Sequence, residues 1–255
     1  MSYFIYPNAN LYDTEPVGGE QTGGTTNFAI NTDPTNEYRL TDLSTATAAG
    51  FPANFDAVRF DLSSSGNAID SIAIHSNGSD TDDVNFYGSD NSSTGVFSSF
   101  ITGSGFSDEF TEGWTVKAAA LSNSTRYVYM RSGGELNIFT EVILGKKLDL
   151  TNVTLSGNEG KNFGNDVVSS YGGVEFSNLR HEGKRFYNFN LDHVNETYKA
   201  SLEAMRDAVR GSHYKLLYYD GSTYHYVRMS NNSLQFKEVA FGVYDTSISL
   251  VEQLS

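Results

Sequence analysis

Apolar residues recur at every second position through most of this chain and at helical spacing only once, between Asn195 and Arg210. Alternation is the signature of half-buried strands, so a single helix has to find a sheet to cover. Tyr198, Leu202, Met205 and Val209 follow one another at intervals of four, three and four, while Lys199, Glu203, Arg206 and Arg210 fall on the opposite face. The ends are written as clearly. Asn195 suits an N-cap, Glu196 the positive end of the helix dipole and Arg206 and Arg210 its negative end, and Gly211 suits a left-handed stop.

With 255 residues, 38% hydrophobic, the chain can bury one large core or two modest ones. Aromatic residues make up 13%, mostly Tyr and Phe in alternating runs, which favours a largely β protein. No run approaches the roughly 18 apolar residues of a membrane span, and the start MSYFIYPNANLYDTE lacks the basic and apolar segments of a signal peptide, so a soluble protein made in the cytoplasm is expected. The absence of cysteine removes disulfides, thiol catalysis and zinc-thiolate sites together. Formal net charge is −14, and residues 1–148 carry 18 acids against 7 bases, so nucleic acid is a poor partner.

The runs divide the chain. Residues 1–24 read as a polar N-terminal arm in which Tyr3 to Tyr6 make a short edge strand that can dock on a neighbour. From 25 to 148, AVRFDLSS, IDSIAIHS, VNFYGSD, GWTVKAAA, TRYVYMRS and LNIFTEVILG are short alternating strands bounded by Gly, Ser or Asn, the pattern of a β-sandwich or jelly roll. Residues 149–166, with the Gly- and Asn-rich SGNEGKNFGND, read as a linker. Residues 167–255 form a second unit of strands, the helix, and a hairpin centred on Asp220-Gly221. Tyr218, Tyr219, Tyr224 and Tyr226 crowd that hairpin, so both of its faces are expected to be covered, by the helix or by another subunit.

Chemistry is harder to find. The loop carrying Asp80, Asp82 and Asp83 gathers oxygens suited to Ca²⁺ but lacks the spacing and distal Glu of an EF-hand, and a solvated hairpin tip accounts for it. Glu109 and Glu112 would have to face each other across a cleft to act as glycosidase carboxylates; loop-edge acids are commoner. His75, His181, His193, His213 and His225 occur singly, without metal-ligand spacing, and no GxSxG elbow or phosphate loop is present. No catalytic residue, metal ligand or cofactor site is therefore assigned. Trp114, Phe106 and Phe110, beside Gly-rich loops, are the candidates for stacking on sugar rings, with core packing as the competing explanation.

Residues 25–148 resemble the galactose-binding-like, discoidin-type jelly roll in AVRFDLSSSGNAIDSIAI, VNFYGSDNSS and STRYVYMRSGGELNIFTEVILGKK, although the discoidin cysteines are missing. From about residue 165, RFYNFNLDHV, ETYKASLEAMRDAVRG, YYDGSTYHYVRM and YDTSISLVEQL follow in an order that resembles distal tail proteins and other tail-tube-like ring formers of bacterial viruses. The fold class expected is mainly β, with two β-sandwich domains, the second flanked by one α-helix over 195–210. What the resemblance implies is a structural, non-enzymatic part of a phage tail, a distal tail or baseplate ring, assembled in the host cytoplasm. Its partners would be further copies in a hexameric ring, tail tube and hub proteins, and host surface glycan. The alternative is a stand-alone carbohydrate-binding protein.

Overall fold

A computed structural model describes residues 2–13, 17–22, 27–30, 57–63, 68–78, 84–89, 98–99, 106, 110–121, 125–132, 139–150, 154–171, 173 and 175–253. Among these the chain is mainly β, with antiparallel sheets and one helix. It divides into two compact units, one built from residues 5–148 and one from residues 1–4 with 149–254.

In the first unit, one sheet contains β2 (Val17–Thr22), β3 (Asn27–Ile30), β4 (Ala57–Asp61), β6 (Val84–Ser89), β7 (Ser98–Ser99) and β9 (Tyr127–Ser132), in the order β3-β2-β4-β9-β6-β7. The other runs from the end of β1 (Tyr3–Pro7) through β10 (Phe139–Asp149) and β5 (Ile69–Ser76) to β8 (Gly113–Leu121). Alternation explains the core. Val58 and Phe60 of β4, Ile72 and Ile74 of β5, Val84 and Phe86 of β6, Val128 and Met130 of β9, and Val142 and Leu144 of β10 belong to one buried cluster contributed by both sheets. Asp61 closes the end of β4 by taking two 2.8 Å hydrogen bonds from the Arg126 guanidinium, which hold its carboxyl below the usual range.

The second unit is a sheet of β11 (Thr154–Ser169), β12 (Glu175–Asn195), β16 (Val243–Glu252), β14 (Tyr224–Met229), β13 (Lys215–Tyr219) and the start of β1 in that order, with β15 (Lys237–Ala240) paired to β16. Helix α1 (Glu196–Ala208) packs on β12 and β16. Asn195 caps it by accepting a 2.8 Å bond from the Tyr198 amide, and Tyr198, Leu202, Met205 and Val209 are all buried. Its C-terminal stop differs in one detail from the sequence reading. Gly211 is left-handed at φ +66°, but the residue next to the Val209 C-cap is Arg210, also left-handed at φ +50°; the Gly211 and Arg210 amides donate to the Arg206 and Asp207 carbonyls.

Two expectations about organisation are corrected. The 149–166 segment is not a linker: from Thr154 onward it is strand, hydrogen-bonded residue by residue to β12. Composition misled because the residues that support those glycines lie across the ladder, not beside them in sequence. Nor is Tyr3–Pro7 the edge of a free arm, since Phe4 is fully buried and its ring packs 5.6 Å from Tyr218 and 6.1 Å from Phe189.

The hairpin turns at Asp220-Gly221, as the sequence predicts, with Gly221 at φ +110°. The Asp220 carboxylate accepts bonds from the Ser222 amide (2.7 Å), the Thr223 amide (2.8 Å), the Ser222 hydroxyl (2.8 Å) and His225 Nε2 (2.9 Å). Burial alone would raise this carboxyl; the hydrogen bonds, led by His225, outweigh it and hold the group well below the usual carboxylate range. The unfolded chain takes up this proton at about pH 3.9, as an ordinary aspartate does, and the folded chain only at lower pH. The stabilisation is thus complete above about pH 4 and is lost as pH falls through the folded pKa. Thermal melts between about pH 2 and pH 6 are expected to show Asp220→Asn with a flatter acid limb than the wild type.

Candidate functional site

The feature that stands apart is the outer part of the β11–β12 hairpin. β16 pairs with β12 only from Phe186 to Asn195; beyond that the Arg185 amide donates to the Glu252 carboxylate of β16 over 3.0 Å, and among the described residues the ladder from Lys161 to Lys184 joins only β11 and β12. The result is a two-stranded ribbon. At its tip the Gly173 amide donates to the Ser170 carbonyl over 2.9 Å, and Gly173 is left-handed at φ +77°. The register shifts twice, between Asn162 and Asn165, which increases local twist.

This ribbon carries most of the exposed large apolar side chains among the described residues: Phe163 at 48%, Val167 at 59%, Val168 at 63%, Phe176 at 63%, Leu179 at 52%, and Tyr171 fully exposed at the tip. Register places them on both faces. Val168 lies opposite Phe176, whereas Val167 lies opposite Ser177 and points the other way, with Leu179 two residues along β12 on its side. At the root, Glu159, Gly160, Lys161, Arg185 and Tyr187 line a cleft of about 320 Å³. Tyr187 is buried there, and burial pushes its hydroxyl up to about 12, with the positive charge of Arg185 acting in the opposite direction. The Phe186 ring lies across Gly160, where an added Cβ would meet it at 2.6 Å.

The expected sugar-stacking trio is not assembled. Phe106 and Phe110, at 2% and 1% exposure, stack on each other at 5.8 Å, and Phe110 meets Phe139 edge-on at 4.8 Å. They are core residues and cannot touch a ligand. Trp114 is half-buried on β8 beside His75, ring centres 5.1 Å apart. His75 Nδ1 lies 2.6 Å from the Thr140 hydroxyl, and burial pulls the imidazole down while Glu112 pulls it up. Thr140 is fully buried, so this hydroxyl is a structural partner, not a reachable nucleophile. Asp80, Asp82, Asp83 and Glu109 lie outside the described residues. Among the described residues no three His, Asp or Glu side chains stand together as a metal site, and no helix is long and apolar enough to cross a membrane.

The tyrosine hairpin is also largely satisfied within its own unit. Tyr218 packs with Phe4, Tyr187 and Phe189 at 5.1 to 5.6 Å, and Tyr219 and Tyr224 pack with Tyr3, whose hydroxyl is 2.8 Å from that of Tyr224. Exposed apolar surface therefore sits on the ribbon, which sequence reasoning split between a linker and an ordinary strand. Its sequence signal was VVSSYGGVEF, apolar on both strand faces around a glycine turn. Comparison with protein-family models, curated proteins and solved structures finds no match.

Proposed function

We propose that the protein is a structural component of a phage tail, of the distal tail or baseplate ring kind, that works by associating with further copies of itself. The observation that carries this reading is the two-faced apolar ribbon. A chain that bound and released a small ligand would need a concave, partly apolar pocket, whereas Phe176 and Leu179 on opposite faces of one thin ribbon suit burial between large surfaces. The mainly β second unit with one helix and the two-sheet first unit are compatible with this reading.

Assembly is the activity to measure. Mass photometry and negative-stain electron microscopy of the purified protein are expected to show a closed ring, hexameric by the resemblance drawn from sequence. A folded monomer that persists at high concentration overturns the reading.

A further inference from the structure

We infer that the ribbon of residues 161–185 is the arm through which one copy of this chain binds another, and that neighbouring copies bury both of its faces. This rests on the self-assembling reading above and names the surface responsible. Phe163, Val167, Val168, Tyr171, Phe176 and Leu179 are each about half exposed or more. With large side chains contributing about 150–250 Å² each when fully bare, they present on the order of 700 Å². A stable interface buries roughly 800 Å² per partner, an area the ribbon approaches only with both of its faces covered.

Charge selects the occupant. Residues 161–185 hold Lys161, Arg180, Lys184 and Arg185 against Asp166, Glu175 and Glu182, a balance of +1, which leaves −15 on the rest of a chain whose formal net charge is −14. A second copy thus offers an acidic surface to a segment that is not itself acidic. Alternation then sets the geometry. Val168 and Phe176 point to one face and Val167 and Leu179 to the other, so flat contact on a single side leaves half the apolar surface in water.

Phe176→Lys and Leu179→Lys test the two faces separately, because each replaces a side chain exposed to solvent and leaves the fold of the isolated chain intact. Sedimentation velocity, with circular dichroism as the check on folding, is expected to show each variant dissociating at a concentration at least about tenfold higher than wild type, the loss typical of an interface anchor. Phe241→Lys, at a fully exposed position in the turn between β15 and β16, is expected to leave assembly unchanged. A multimer unaffected by both ribbon variants overturns this inference and leaves the structural reading standing; a monomeric wild type overturns both. Loss in only one ribbon variant overturns burial of both faces, and equal loss in Phe241→Lys overturns the assignment to the ribbon. Wild-type protein that co-sediments with phosphatidylcholine and phosphatidylglycerol vesicles, and loses this with Phe176→Lys, assigns the ribbon to a lipid surface instead.

Discussion

Gly145→Ala is expected to destabilise the first unit by about 3 kcal/mol or more, a large effect for one added methyl group. A Cβ at this position would fall on the Tyr6 carbonyl oxygen, with the Tyr6 carbonyl carbon at 2.8 Å and Pro7 Cα at 3.1 Å. All three atoms are backbone, so no rotamer change relieves the clash. Moving β1 away would strain the 2.7 Å bond from the Asn8 amide to the Leu144 carbonyl, one residue from the glycine. The single tryptophan, Trp114, lies in this unit and gives the readout: its fluorescence transition in denaturant should shift to markedly lower concentration. An unchanged midpoint would show that β1 does not lie against β10 in solution.

Gly145 also shows why the sequence was legible only in places. An isolated glycine inside the alternating run FTEVILGKK signals that another backbone comes close, but nothing local says which one. Its neighbour proves to be Tyr6, far away in sequence and read as part of a docking arm. The helix was legible because its determinants are local: four apolar side chains at helical spacing, a capping Asn195 and a left-handed Gly211. Strands of the first unit were legible for the same reason, period by period. What failed depended on partners distant in the chain. SGNEGKNFGND looks like a linker until Phe186 is placed across Gly160, and Phe106 and Phe110 look like rim aromatics until Phe139 is placed against them. The cover of the hairpin tyrosines stayed open between the helix and another subunit because the groups that bury Tyr218, namely Phe4, Tyr187 and Phe189, come from distant parts of the sequence. The ribbon escaped notice for the converse reason. Its apolar residues read like those of any short strand, and only the three-dimensional pairing reveals that among the described residues no third strand is laddered to it from Lys161 to Lys184.

Leu202→Asp is expected to abolish cooperative folding of the second unit. Leu202 is fully buried in the stripe formed with Tyr198, Met205 and Val209, where α1 packs against β12 and β16. Removing the side chain forfeits about 2–5 kcal/mol, and placing an unpaired carboxylate in the same apolar space adds a desolvation cost of several more. Against a typical stability of about 5–15 kcal/mol that sum is enough to unfold the unit. Leu202→Ala keeps the question answerable if the acid variant cannot be purified: a loss of about 2–5 kcal/mol, seen as a melting temperature lower by roughly 10 °C or more, is expected. Ala204→Glu, on the exposed face of the same helix, should stay within about 0.5 kcal/mol. Trp114 again separates the two units, because it reports on residues 5–148 while α1 belongs to 149–254. Retention of the fluorescence transition with loss of helical circular dichroism in Leu202→Asp would show that the first unit stands on its own core. An Ala204→Glu variant as damaging as Leu202→Ala would mean that the stripe is not what attaches the helix, and the amphipathic assignment on which this unit's architecture depends would fall.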